Sequence, residues 1–223
     1  MKLIIDSADT KAIERLCSYY PIDGVTTNPS IIAKSGRQPY EVLKEIRRII
    51  GDKDLHVQVV STDAETMMKE AESITAKLGK ETFIKIPVTF EGVKAIKMLS
   101  EKGFNCTGTA VYTLEQAYLA CHAGAKWIAP YVNRIENVYG NGVKTVCKMQ
   151  DMIDNNGYTT QIVGASFHKM EQITGLAEYG VGAATIGADL LLSLLDNPNV
   201  TGAVEKFTSD FENLCGKGKT MLV

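Results

Sequence analysis

The sequence lacks any apolar run approaching the roughly 20 residues that a membrane-spanning helix requires. Its N-terminal apolar stretch is three residues long and ends at Asp6, which is too short for the apolar region of a signal peptide. Five cysteines and three histidines show neither a C-x-x-C pair nor the spacing of a metal site, and an odd cysteine count fits free thiols in a reducing compartment. We therefore expect a cytoplasmic protein with no protein-bound metal and no cofactor.

An excess of charge of one sign is also missing. The chain carries 24 basic and 26 acidic residues in interspersed order, for a net charge of −2. Nucleic acids and anionic membrane surfaces are therefore not expected as partners. With 223 residues, 45% of them hydrophobic and 22% charged, the chain has the composition of a soluble globular protein that buries a large core.

Short β-branched runs alternate with longer segments of helical period. Eight runs are candidate strands, at residues 3–5, 24–26, 56–60, 82–86, 106–109, 127–130, 162–165 and 184–186. Each is followed by a candidate helix, and no linker or low-complexity segment interrupts the pattern. This alternation predicts an α/β fold, a closed parallel (β/α)8 barrel of the TIM type, as one domain over residues 1–223.

The helix predictions rest on apolar stripes and on capping residues. Apolar residues recur with helical spacing in two segments, at Met67, Ala71, Ile74 and Leu78, and at Val42, Leu43, Ile46 and Ile49 within residues 40–50. Thr62 with Glu65, and Thr113 with Gln116, have the spacing of capping boxes. A further helix is predicted at 200–215, past Pro198, after the eight strand–helix units of the barrel are complete. One face of this helix is apolar and must be covered, either by an end of the barrel or by a neighbouring subunit, and the sequence does not decide between the two. The apolar residues of this face are Val204, Phe207, Phe211 and Leu214.

The segment TFIKIPVTFEG at 82–92 places Lys85 in the middle of an apolar strand. A buried ammonium group is costly, and burial lowers the pKa of a lysine, which leaves a nucleophilic amine. The alternative is an edge strand from which the side chain reaches water. Because an internal strand of a closed barrel has no edge, the nucleophile is the favoured interpretation.

Other polar residues end the remaining strands, where (β/α)8 barrels carry their chemistry. Together with the lysine they are Asp6, Thr26, Asn28, Gln58, Lys85, Thr109, Tyr131, Arg134 and Ser166. A lysine, a tyrosine, a carboxylate and neutral hydrogen-bonding groups at one barrel mouth indicate an imine-forming site.

Each member of this set also has a purely structural interpretation. Asp6 could cap the first helix, and Asn28 before Pro29 could only form a turn. Gln58 could satisfy backbone groups of a loop, and Arg134 could form a surface ion pair of little energetic value. The convergence of the set is what favours function over these alternatives.

Five segments resemble the transaldolase family, in its short-chain subfamily: DGVTTNPSII, TFIKIPVTFEGVKAIKML, GTAVYT, APYVNRIE and GASF. The similarity runs from Asp6 to about Phe211. Transaldolases of this type carry glutamate and phenylalanine where this chain has Gln58 and Tyr131, and the GTAVY context of Thr109 also differs from theirs. The resemblance therefore implies an aldolase that reversibly cleaves fructose 6-phosphate to dihydroxyacetone and glyceraldehyde 3-phosphate. The alternatives are a transaldolase that transfers the dihydroxyacetone unit between sugar phosphates, and a catalytically silent barrel that binds sugar phosphates.

The resemblance assigns a role to each residue. Lys85 forms the Schiff base, and Tyr131 moves the proton, directly or through a water held by Gln58 and Thr109. Asp6 acts on the reacting hydroxyl. The remaining residues are expected to bind substrate: Thr26 and Asn28 the donor's hydroxyls, and Arg134 and Ser166 the phosphate. The resemblance also implies a homo-oligomer, a pentamer or decamer, with the C-terminal helix packed on a neighbouring subunit. Thr107 departs from the family pattern, which more often has an apolar residue there.

Overall fold

The computed structural model describes residues 1–222 and contains a closed barrel of eight parallel strands, paired in sequence order from β1 to β8 and back to β1. The prediction of a (β/α)8 barrel is confirmed. All eight predicted strands are present, with ends that differ by up to two residues. The strands are β1 (Lys2–Asp6), β2 (Gly24–Thr26), β3 (Asp54–Gln58), β4 (Phe83–Pro87), β5 (Cys106–Val111), β6 (Trp127–Pro130), β7 (Gln161–Gly164) and β8 (Ala183–Gly187).

Helices follow every strand, and three strands are followed by two helices each. Within the described residues the helices are α1 (Thr10–Tyr19), α2 (Pro29–Lys34), α3 (Pro39–Ile50), α4 (Ala64–Leu78), α5 (Phe90–Glu101), α6 (Leu114–His122), α7 (Val132–Tyr139), α8 (Gly142–Asn155), α9 (Met170–Tyr179), α10 (Ala188–Ser193) and α11 (Pro198–Cys215). The pairs are α2 with α3, α7 with α8, and α10 with α11. The short helices α2 and α7 lie next to residues predicted for the site, because Asn28 caps α2 and Arg134 belongs to α7.

The alternation of side chains along β4 explains how the barrel separates its core from its chemistry. Ile84 and Ile86 are fully buried and face the surrounding helices, whereas Phe83 and Lys85 face the barrel interior. The same alternation holds along β3, where His56 faces inward in contact with Phe83. Strands β3 and β4 thus contribute an apolar outer face to the helix layer and an inner face that ends in a polar side chain at the carboxyl end.

The local helix signals were correct for the most part. Along α3, Val42, Leu43 and Ile46 are buried as predicted, but Ile50 is buried in place of Ile49. Met67, Ala71, Ile74 and Leu78 are all buried along α4, and Thr113 with Gln116 forms the expected capping box of α6. The capping box predicted at Thr62 and Glu65 is wrong. Asp63 caps α4 by accepting a hydrogen bond from the backbone N–H of Thr66 at 2.9 Å, and Glu65 instead pairs with Lys94 of α5 at 2.7 Å.

The chain divides into two compact units, residues 1–191 and 192–223. The first contains the complete barrel. The second contains α11, which begins at Pro198, two residues before the predicted start, and has no buried residues; Val204 and Phe207 are more than half exposed. The placement of this helix on a neighbouring subunit stays a prediction. Among the described residues no helix combines the length and the apolar character needed to cross a bilayer.

Candidate active site

Lys85 lies on the inner face of β4, with only 3% of its surface exposed. Its Nζ donates a hydrogen bond to the backbone carbonyl of Thr27, just beyond the end of β2, at 3.0 Å. Both neighbours of β4, β3 and β5, are paired with it along its length, so β4 has no edge. The interpretation of this lysine as an edge residue that reaches water is therefore excluded.

Burial lowers the pKa of Lys85, because the ammonium form loses its hydration inside the barrel. The carboxylate of Asp6 acts in the opposite direction, since a nearby negative charge favours the ammonium form. Burial is the larger effect. The result is an amine that loses its proton more readily than an exposed lysine, and the neutral amine is the form that attacks a carbonyl carbon.

Asp6 ends β1 and belongs to a short hydrogen-bonded chain across three strands. Its carboxylate accepts from Thr26 Oγ1 of β2 at 2.7 Å, and that hydroxyl lies 2.6 Å from Thr185 Oγ1 of β8. The cap of α1 is Asp9, whose side chain accepts from the backbone N–H groups of residues 11 and 12, so Asp6 has no capping role. The carboxylate is thus held at the barrel mouth by a hydroxyl pair.

The next two predicted residues differ in how much of their polar surface is engaged. Asn28 caps α2, because its Oδ1 accepts from the backbone N–H of Ile31 at 3.0 Å. Within residues 1–222 its amide NH2 has no partner, so that group can still donate to a ligand. Gln58 ends β3 in register with Lys85, and its Oε1 is buried without a partner among the described residues. A buried acceptor in this state is prepared to bind a water or a substrate hydroxyl.

Tyr131 and Arg134 lie in a second cluster at the β5 and β6 side of the mouth. Tyr131 Oη is 3.3 Å from Thr109 Oγ1, and the Arg134 guanidinium stacks over the Tyr131 ring at 4.9 Å. Arg134 also donates through Nη1 to Tyr112 Oη at 3.2 Å, and the Tyr112 ring meets that of Tyr131 edge-on with centroids 5.7 Å apart. Its neighbours are therefore two tyrosines, and the surface ion pair suggested as an alternative is not found among the described residues.

Ser166 follows β7 with a φ of 60°, a left-handed conformation that is strained for a residue with a side chain. Its carbonyl accepts from the backbone N–H of Asn133 at 3.0 Å, which joins the end of β7 to the start of α7. Ala110, at the irregularity in β5, is the other non-glycine residue in this conformation among those described, with a φ of 55°. One of these two residues, Ser166, is itself a predicted site residue, and the other, Ala110, directly follows Thr109.

A cleft of about 900 Å³ opens beside Asp6. Its lining includes three acidic side chains and three basic ones: Asp6, Asp9, Asp189, Lys11, Lys34 and Arg37. This side of the mouth therefore combines space with charges of both signs.

Residues that the sequence interpretation missed complete both clusters. Tyr112 was part of the GTAVYT segment, three residues beyond Thr109, and its position could have been read from that spacing. The sequence signal for Thr185 is weaker: side chains along β8 alternate between the barrel interior and the helices, and this alternation places Thr185 in the interior. The Thr27 carbonyl has no sequence signal, because a backbone acceptor is available at every residue.

One comparison with known proteins bears on this site. A family model described as Transaldolase/Fructose-6-phosphate aldolase matches residues 3–221. The matched range includes every site residue named above.

Proposed function

Because the chain belongs to the transaldolase/fructose-6-phosphate aldolase family and is therefore an enzyme of one of these two kinds, we propose that it is a Schiff-base aldolase. In this proposal it reversibly cleaves fructose 6-phosphate to dihydroxyacetone and glyceraldehyde 3-phosphate. The observation that favours an aldolase over a transaldolase is the phenol of Tyr131. Its hydroxyl lies 3.3 Å from that of Thr109 at the barrel mouth, above the buried Lys85.

The reaction begins with the neutral amine of Lys85 attacking C2 of the ketose. Uptake of one proton from solvent and loss of water give a protonated imine. A hydroxyl proton at C4 is removed with the participation of Asp6, the C3–C4 bond breaks, and its electron pair is taken up by the imine nitrogen as an enamine. Glyceraldehyde 3-phosphate then leaves.

The fate of the enamine separates an aldolase from a transaldolase. To release dihydroxyacetone, the enamine carbon must be protonated and the resulting imine hydrolysed by water. Tyr131 supplies that proton, directly or through a water held by Gln58 and Thr109. A site without a proton donor at this position would keep the enamine until an acceptor aldehyde arrives. The tyrosine therefore favours the aldolase over the transaldolase.

The remaining predicted residues recognise the two halves of the substrate. Thr26 and the free NH2 of Asn28 bind the hydroxyls of the donor half. Arg134 binds the phosphate of the aldehyde half with the Ser166 hydroxyl, because a guanidinium matches two phosphate oxygens at once.

We also propose that the protein is a homo-oligomer, a pentamer or a decamer. The exposed apolar side chains of α11 support this, since such a helix lowers its free energy when a second surface covers it. Light scattering on the purified chain measures the mass, and a monomer would contradict the proposal.

The experiment that tests the activity gives purified protein fructose 6-phosphate alone and measures free dihydroxyacetone. Release without an added aldehyde supports the aldolase. If no dihydroxyacetone is released, and sedoheptulose 7-phosphate forms only after erythrose 4-phosphate is added, the enzyme is a transaldolase. Borohydride reduction in the presence of dihydroxyacetone should add the reduced three-carbon unit to Lys85, as located by peptide mass spectrometry, and a silent barrel would gain none.

A further inference from the structure

A second polar pair lies in the barrel interior beneath Lys85, and the reaction above makes no use of it. His56 of β3 and Thr107 of β5 are both fully buried, and His56 Nδ1 lies 3.0 Å from Thr107 Oγ1. Strands β3 and β5 are the two neighbours of β4, so this hydrogen bond crosses the inner face of β4. Thr107 is also the register partner of Lys85. The pair therefore forms part of the floor under the lysine.

The imidazole ring of His56 occupies the layer immediately below Lys85. It stacks on Phe83 with centroids 4.5 Å apart and an interplanar angle of 12°, and it meets Trp127 of β6 edge-on at 6.1 Å. Phe83 and Lys85 are alternate residues on the inner face of β4. A ring that stacks on the first and reaches β5 must therefore pass beneath the second.

The backbone of His56 contributes to the same arrangement. Its carbonyl accepts hydrogen bonds from both the N–H and the Oγ1 of Thr27, at 3.0 Å and 3.3 Å. The carbonyl of Thr27 in turn accepts from Nζ of Lys85. His56 thus fixes the acceptor of the lysine as well as the floor beneath it.

The ring is neutral at physiological pH and one of its nitrogens is unpaired. Burial, together with the positive charges of Lys85 on β4 and Lys2 on β1, lowers the pKa of His56 to about 3. The groups that face it from β5 and β6, Thr107 and Trp127, are uncharged. Its Nε2 is buried without a hydrogen-bond partner among the described residues. A neutral imidazole has one nitrogen that carries a proton and one that carries a lone pair, so the tautomer determines which of these is present at Nε2.

We propose that His56 is a positioning residue, held as the tautomer whose Nδ1–H donates to Thr107, so that the lone pair of Nε2 forms a fixed partial negative charge beneath Lys85. This rests on the imine reaction proposed above. Lys2 is paired with the carboxylate of Asp54 at 2.6 Å, so its charge is largely balanced. The ammonium form of Lys85 favours the proposed tautomer, since the other tautomer would place an N–H near that positive charge. The lone pair then stabilises the protonated imine formed on Lys85, which is the cation that withdraws electrons during cleavage.

The first test observes the tautomer in the free protein. Solid-state NMR of protein labelled with 15N-histidine distinguishes protonated from unprotonated ring nitrogens, and His56→Phe identifies the signals among the three histidines. We expect a protonated Nδ1 and an unprotonated Nε2 that do not change between pH 5 and pH 9. A protonated Nε2 would overturn the proposal. If His56→Phe does not fold, the His56 signals can be identified by comparing the wild-type protein with Thr107→Val. This variant removes the hydroxyl that accepts from Nδ1 and should shift the His56 signals alone.

The second test measures Lys85 itself. The rate of its carbamoylation by cyanate, read by peptide mass spectrometry, rises with pH as the amine loses its proton. Removing the partial negative charge makes the ammonium form less favourable, so His56→Phe should move this rise to lower pH by about 0.5 unit or more. Thr107→Val should move it less, and His122→Phe, the same substitution on the exposed face of α6, not at all. An unchanged or upward-shifted profile in His56→Phe would overturn the proposal.

The third measurement separates this proposal from the reaction on which it rests. Borohydride trapping with dihydroxyacetone at neutral pH should fall several-fold in His56→Phe, because the protonated imine is less stable. If the wild-type protein itself forms no adduct, the Schiff-base function fails. The tautomer and the cyanate profile then still decide the role of His56, because neither requires substrate.

Discussion

Nζ of Lys85 donates to the backbone carbonyl of Thr27 at 3.0 Å, across the strand that separates β4 from β2. The residues on either side of Thr27 are also engaged at the mouth: Thr26 donates to Asp6, and Asn28 caps α2. The three-residue segment at the end of β2 thus connects the amine, the carboxylate and the amide expected to bind the donor. A displacement of this segment would disturb all three groups at once.

Replacing Lys85 by methionine should abolish activity and borohydride trapping while it raises the free energy of unfolding at pH 7. The folded state disfavours the ammonium form, so wild-type unfolding takes up a proton between the lowered pKa of Lys85 and about 10.4. Wild-type stability therefore rises with pH across that window, and each unit by which the pKa is lowered is worth about 1.4 kcal/mol. The stability advantage of Lys85→Met should shrink as the pH approaches 10. Chemical denaturation at several pH values measures it, with the exposed Lys97→Met as the matched control; an advantage that is constant with pH would contradict the prediction.

Replacing Tyr131 by phenylalanine should slow cleavage of fructose 6-phosphate by about 10² to 10⁴-fold, the usual loss for a general acid or base. Formation of the imine on Lys85 should be affected much less, because that step does not require the phenol. Steady-state release of dihydroxyacetone and the yield of borohydride adduct measure the two steps. Equal losses in both would exclude the tyrosine as the proton donor.

Replacing Tyr112 by phenylalanine removes the hydroxyl that accepts from Arg134 but keeps the ring against Tyr131. The guanidinium then loses one positioning contact, worth about 1 kcal/mol, so the KM for glyceraldehyde 3-phosphate in the synthetic direction should rise about fivefold with little change in kcat. The KM for glyceraldehyde, which lacks the phosphate, should not change. Tyr139→Phe, at the exposed end of the helix that carries Arg134, α7, is the control. Equal effects on both aldehydes would mean that Tyr112 acts through Tyr131 instead.

Replacing Ser166 by glycine should stabilise the protein and weaken phosphate binding at the same time. Glycine adopts a φ of 60° without strain, which should raise the free energy of unfolding by about 0.5–1 kcal/mol after the greater freedom of the unfolded chain is included. Loss of the hydroxyl should raise the KM for phosphorylated substrates. Ser166→Ala serves as the comparison, because it loses the same hydroxyl but keeps the strain. Thermal unfolding of the two variants should differ in favour of glycine, and identical stabilities would show that the conformation is not strained.

Much of the barrel was determined by the sequence alone, because its signals are local. A strand whose inner and outer faces alternate, or a helix with an apolar stripe such as that of α4, is specified within a few residues. Lys85 was identified for the same reason, since its apolar neighbours lie directly beside it in the chain. The failed capping box shows the limit of such signals: Thr62 and Glu65 had the correct spacing, but Asp63 lies closer to the helix start and Glu65 found a partner on α5.

Only the tertiary structure decided which polar groups meet. Thr26 and Thr185 are 159 residues apart, and closure of the barrel between β8 and β1 is what brings their hydroxyls to 2.6 Å. The contact between His56 and Thr107 likewise depends on two strands that flank a third. The two residues are 51 positions apart, and no local sequence pattern predicts that they meet. Residue types and local periodicity determine what each strand presents to the interior. The register and curvature of the closed sheet determine the partners, and these arise from the packing of all eight strands together.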